Sequence, residues 1–160
     1  MIENCIFRLN AVVQKAASPA VNVKLNNASG IAIVDEGSEL NCINEAFLKS
    51  SGCEMINTEV GAKGAGNSNI DIGGQTKHPV TIRVCGDNYL APINLGICLV
   101  VRNLGANVLI GEPAKENHEI VTFPHLREIC FKDTEGIRRR CNMLKKDCKS
   151  NDKVAAETMR

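Results

Sequence analysis

At 160 residues the chain is long enough for one domain with its own core, and a second domain is not expected. An apolar fraction of 44% and a charged fraction of 23% are ordinary for a soluble globular protein; with aromatics at 3% and no Trp, the core has to come from Val, Ile, Leu and Ala. The net charge of +1 excludes an overall electrostatic pull toward nucleic acid, but the charge is uneven. Residues 125–160 hold 10 Lys/Arg against 6 Asp/Glu, and residues 1–124 hold 9 against 12. The last segment therefore reads as a basic polar tail or linker, either helical or disordered, on a slightly acidic body.

Eight cysteines raise the question of a disulfide framework. They are scattered, several lie inside apolar runs, and there is no C-x-x-C pair or Cys/His cluster at zinc spacing. Met1–Leu9 is too short for a secretory leader and carries Glu3 and Arg8, and no run reaches the roughly 18 apolar residues of a membrane span. Buried free thiols in a reducing, cytoplasmic compartment are the expectation, with no membrane partner, metal or cofactor.

Along the chain, residues 1–19 read as an N-terminal extension to the domain. Val21, Val23 and Leu25 alternate with polar residues, which predicts a strand with one buried face. A turn over 26–30 leads to Ile31-Ala32-Ile33-Val34, a short apolar run of the buried-strand type. Asn44 has the character of an N-cap for a short helix over 45–50, stopped by Gly52. Residues 61–74 are rich in Gly, Asn and Ser and predict a mobile hairpin with a glycine-rich tip. Val80, Ile82 and Val84 alternate again; 95–101 and 108–110 are further apolar runs; Pro113 suits the first turn of a short helix over 112–116; and 120–123 is a last strand. The sum is a mainly β domain with one or two short helices.

The chemistry centres on Asp35-Glu36-Gly37-Ser38-Glu39. A buried strand delivers a carboxylate at its end, and a glycine two residues on lets the backbone turn tightly. D-x-G alone is weak evidence: Asp71-Ile72-Gly73 repeats it, but after polar residues instead of a buried strand. Ser38 and Cys42 have no His or Asp at a recognised nucleophile spacing, and Cys42 alternates with Leu40 as a core residue would. The three histidines are scattered, which fits surface or capping roles.

Company strengthens the first D-x-G. Apolar strand with Asp-x-Gly, short helix, glycine-rich hairpin and then Asn107-Val108-Leu109-Ile110-Gly111 follow in that order. This succession resembles the retropepsin family, the aspartic proteases of retroviruses and LTR retrotransposons and related cellular domains, over residues 20–124. The resemblance implies a closed, mainly β acid-protease barrel acting as a two-fold homodimer. It implies that Asp35 is the catalytic aspartate, with Glu36, Gly37, Ser38 and Glu39 on the active-site loop. It puts Lys63, Gly64, Ala65, Gly66 and Asn67 in a flap over the substrate. Ile33, Val108, Leu109, Ile110 and Gly111 would line or back a substrate pocket, and strands near 20–25 and 120–123 would form the dimer sheet. The implied activity is cleavage of extended polypeptides, such as the polyprotein of a retroelement, by a water activated between two Asp35 carboxylates.

One position departs from the family pattern: Glu36 stands where Thr or Ser usually follows the aspartate. Its carboxylate either turns outward, finds a basic partner or is protonated. Two rivals stay open: the same fold kept as a catalytically impaired dimerisation or peptide-binding module, and an unrelated monomeric β-barrel with a chance D-x-G. Arg138-Arg139-Arg140 and the lysines after it read as part of the solvated linker, with nucleic-acid binding through this tract as the alternative.

Overall fold

The computed structural model describes residues 6–8, 18–63 and 69–145. In chain order the strands are β1 (Ile6–Arg8), β2 (Ala20–Leu25), β3 (Ala28–Val34), β4 (Cys42–Asn44), β5 (Met55–Ile56), β6 (Gly61–Lys63), β7 (Ile72–Thr76), β8 (Val80–Cys85), β9 (Leu90–Gly96), β10 (Leu99–Val101), β11 (Val108–Ile110), β12 (Val121–Phe123), β13 (Glu128–Lys132) and β14 (Arg138–Asn142). Helix α1 (Glu45–Ser50) follows β4, and α2 (Glu112–Asn117) follows β11.

Nine strands form one curled half-barrel sheet in the order β5-β7-β10-β4-β11-β3-β2-β8-β9. Its centre is a threaded arrangement. β11 inserts between β3 and β4, parallel to the first (Val34 opposite Ile110) and antiparallel to the second (Leu109 opposite Cys42). The unbroken apolar character of 31–34 and 108–110 follows from this: these strands are covered on both faces. Alternation sends Ala32, Val34, Ile43, Val108 and Ile110 into the larger core with Val21, Val23, Ile82 and Val84. It sends Ile33, Cys42 and Leu109 to the other face, against Leu99, Val101, Val60, Ala62 and Ile70.

Helix α1 begins where Asn44 accepts a hydrogen bond from the Phe47 N–H at 3.1 Å, and Gly52 ends it with a φ of +83°. Helix α2 has Pro113 in its first turn and is capped by His118. That histidine is buried. Its Nε2 accepts from the Asn94 N–H (3.0 Å), so Nδ1 carries the hydrogen and donates to the Lys132 carbonyl (2.7 Å), tying α2 to β9 and β13.

Three placements depart from the sequence reading. The run over 95–101 is broken: Gly96 takes a φ of +67°, Ile97 is exposed, and the residues on either side belong to different strands. β2 is an interior strand, paired with β3 along its length and with β8 at Val23 and Lys24, while the Ala20 carbonyl accepts from the Leu144 N–H. It leaves no edge for a dimer sheet; β12, paired on one side only, keeps one. Residues 128–142 are a strand hairpin, where a helix or a disordered linker was expected. Ile129, Phe131, Cys141 and Met143 enter the larger core, and truncating a buried Phe such as Phe131 costs about 3–5 kcal/mol. The turn is built on Asp133, whose carboxylate accepts the Glu135 and Ile137 N–H groups at 2.9 and 3.0 Å. Burial works against that charge, but these bonds and Arg139 outweigh it and hold the carboxyl below its usual range.

The three consecutive arginines of the basic tract are likewise absorbed. Arg138 pairs with Glu119, Arg139 with Asp133 (3.1 Å) and Arg140 with Glu128 (3.6 Å), and Arg139 also lies over the Tyr89 ring. Each arginine of 138–140 thus has its own carboxylate within the domain.

Candidate active site

The parallel pairing of β3 and β11 brings the ends of both strands to the same place. The Asp35 N–H donates to the Ile110 carbonyl at 2.9 Å, so the loop after β3 starts against the last residue of β11. The loop then folds back over the mouth of β11. The Ser38 carbonyl accepts from the Glu112 N–H at 2.8 Å, and the Asn41 amide oxygen accepts from the buried Gly111 N–H at 2.8 Å. Asn41 in turn donates to the Leu95 carbonyl at 2.9 Å. One buried amide therefore satisfies two buried backbone groups.

Glycine at 111 is required by space. A Cβ there would lie 2.8 Å from the Ser38 carbonyl oxygen and nearer still to that of Leu40. Its φ of −98° is open to any residue, so the requirement is close approach, not backbone handedness.

Within the loop, Asp35 is partly exposed and its two carboxylate oxygens are held separately. Gly37 N–H donates to Oδ1 at 3.2 Å, and the Ser38 hydroxyl donates to Oδ2 at 2.8 Å. Ser38 itself is buried. The carboxylate is thus fixed in direction by two donors from its own loop. Glu36 turns away from it. Its side chain is 72% exposed and sits 3.4 Å from the Lys115 ammonium of α2. Of the three alternatives for Glu36, the outward turn and the basic partner are both observed together. Glu39 is exposed on the same loop.

Behind the loop, Ile33 and Leu109 lie side by side on the smaller core face, beneath Val60, Ala62 and Ile70 from the hairpin stem. Val108 and Ile110 point into the larger core on the opposite face, so the five candidate pocket residues do not form one wall. Cys42 is fully buried beside Ile33 and Leu109; burial, with Cys98 and Asp35 adding to it, pushes its thiol well up, which makes it a core residue and a poor nucleophile. Of the hairpin, the β6 and β7 arms are described; Gly64, Ala65, Gly66 and Asn67 lie outside the described residues, as does the Lys63 side chain.

The second D-x-G has a different part. Asp71 pairs with Arg102 (2.8 Å), which also reaches Glu45 on α1 (3.1 Å). The Glu45 carboxylate occupies the space where a side chain at Gly73 would go. Asp71 braces the base of the hairpin, and no strand end presents it as Asp35 is presented.

No protein-family model matches the sequence, and no curated protein matches it. Solved structures do match. The crystal structure of the retroviral protease-like domain of Ddi1 from Leishmania major aligns with a TM-score of 0.56, over 82% of this chain and 97% of that one, at 14% identity. The chain therefore has a retropepsin-like fold. At that identity the likeness concerns the fold alone.

Proposed function

We propose that this chain is an aspartic endopeptidase of retropepsin type, active as a homodimer in which each subunit contributes Asp35. The observation that carries this reading is the Asp35 loop itself. A carboxylate with both oxygens oriented by hydrogen bonds stands at the ends of two parallel, doubly buried strands, and the loop is pinned by Asn41 and Gly111. One such carboxylate is half of a dyad. A two-fold axis passing the loop supplies the other from an identical chain.

Two carboxylates about 3 Å apart share one proton, an arrangement the handling of like charges makes general for such dyads. The ionised Asp35 takes a proton from the water that attacks the scissile carbonyl, while the protonated Asp35 donates to that carbonyl oxygen. Ser38 and Gly37 hold each carboxylate in direction through the exchange. The substrate is an extended polypeptide held through its backbone, in a retroelement the element's own polyprotein, with Ile33 and Leu109 under the floor of the cleft. A reducing, cytoplasmic compartment goes with this reading, since Cys42, Cys53, Cys85, Cys98, Cys130 and Cys141 are free thiols.

The test is cleavage of a peptide library, scanned over mildly acidic to neutral pH, by the wild type and Asp35→Asn. Cleavage by the wild type alone is expected. Equal cleavage by the variant removes Asp35 from the chemistry.

A second reading, the same fold without activity, is favoured by one feature: Glu36 leaves the position after Asp35 without a hydroxyl donor. Glu36→Thr separates the two. Because Glu36 is exposed, the change is neutral for stability to within about 0.5 kcal/mol. If cleavage appears only in Glu36→Thr, the natural chain is the inactive module.

A further inference from the structure

Lys24 and Arg83 are direct cross-strand partners in the β2–β8 pair. Among the described residues neither takes part in an ion pair, although nine such pairs are formed elsewhere on the domain. Like charges directly opposite on a sheet destabilise it, so this position is electrostatically unfavourable as it stands. The pair lines a groove of about 260 Å³ together with Asn26, Cys53 and Thr81. Thr81 and Arg83 are both exposed on the same face of β8. Asn26 takes a left-handed φ of 53°, and its amide donates to the Ser51 carbonyl at 2.8 Å, fixing the turn that walls one side. Glu54, next to Cys53, is engaged with Lys77 at 3.4 Å. The groove thus offers a planar guanidinium, an ammonium and a hydroxyl, and its neighbouring carboxylate is occupied.

We propose that this groove binds a phosphoryl group, either free phosphate or a phosphate monoester. Arg83 presents the fork that matches two phosphate oxygens, Lys24 opposite it adds a point charge, and Thr81 donates to a third oxygen. The ligand charge relieves the Lys24–Arg83 repulsion. The groove is separate from the Asp35 loop. Lys24 pairs with Ser29 at the far end of β3, six residues or roughly 20 Å of strand from Asp35.

Thermal midpoints of the full chain are measured against rising orthophosphate or O-phosphoserine, with sodium chloride holding ionic strength constant, alongside backbone amide shifts. The midpoint of the wild type is expected to rise with at least one of the two phosphates, with shifts centred on Thr81 and Arg83. The double variant Lys24→Gln, Arg83→Gln is expected to bind at least tenfold more weakly, yet to be no less stable without phosphate. Should that variant fail to fold, Arg83→Lys carries the test, because it keeps the charge, loses the fork and weakens binding severalfold. The proposal is overturned if neither phosphate raises the midpoint beyond chloride, if the variants respond as the wild type does, or if the shifts centre elsewhere. None of these readouts depends on proteolysis.

Discussion

Gly111→Ala perturbs the link between the loop and the sheet. The new methyl would sit 2.8 Å from the Ser38 carbonyl oxygen and closer to that of Leu40, both backbone atoms that cannot rotate away. Non-bonded heavy atoms prefer about 3.5 Å, so loop and strand must part by on the order of 1 Å. Overpacking of this kind costs about 1–3 kcal/mol. Parting the strand from the loop also strains the bond from the Gly111 N–H to Asn41, and a buried N–H left unsatisfied adds about 1–3 kcal/mol. The φ of −98° suits alanine, which returns about 0.4–1 kcal/mol by restricting the unfolded chain. The net is a loss of about 1–6 kcal/mol, centred on about 3 kcal/mol, a large part of the roughly 5–15 kcal/mol that holds a domain folded. Urea denaturation followed by circular dichroism measures it directly. Gly52→Ala is the control, with a φ of +83° and open space around it, and a cost of about 1 kcal/mol from the backbone alone. A Gly111→Ala midpoint equal to wild type, or a loss no larger than that of Gly52→Ala, would show that close approach does not hold this loop.

Asn41→Ala strips partners from the Gly111 N–H and the Leu95 carbonyl, both buried, and should cost about 2–6 kcal/mol in the same denaturation assay; a loss under about 1 kcal/mol would mean that water replaces the amide. Tyr89 is the only tyrosine, and there is no Trp, so tyrosinate absorbance reports on it alone. Burial first, and then Cys141, push its phenol up from 10.0 to about 12. Because the neutral phenol donates to the Arg140 carbonyl at 2.6 Å, its contribution is complete below about pH 10, the unfolded value, and is lost as pH rises toward about 12. An absorbance midpoint near 10 in the folded protein would contradict this, and Tyr89→Phe should flatten that part of the stability profile.

Helix α1 was legible to the residue, because its signals are local: an Asn N-cap, six residues and a Gly stop. The strand leading to Asp35 was legible because burial on both faces leaves an unbroken apolar run. β9 was not read. Leu90, Pro92 and Asn94 face outward on an edge strand and mask the alternation of Ala91, Ile93 and Leu95, and Pro92 is tolerated there because an edge lacks one ladder. The β13–β14 hairpin was hidden by charge. Its arginines suggested a solvated linker, although Ile129 and Phe131 alternate and Asp133 with Gly136 forms a recognisable turn. Which carboxylate answers which arginine is tertiary information and cannot be read along the chain. At the site, the sequence named Asp35, Gly37, Ser38 and Gly111 but missed Asn41. A polar residue one place after Leu40 and just before a buried strand was a usable signal, since a buried amide there needs partners.

The insertion of β11 between β3 and β4 also sets an order of assembly. Val34 and Ile110 are neighbours in space but 76 positions apart in the chain, and the Asp35 loop takes its final form only when both have arrived. Closure over such a separation is slow compared with the neighbouring β2–β3 hairpin. During synthesis, a nascent chain ending short of Val108 would hold Ile31–Val34 and Cys42–Asn44 with facing bare edges and no strand between them, a form open to pairing with another chain. The strand that completes the Asp35 loop thus also closes an aggregation-prone gap in the nascent protein.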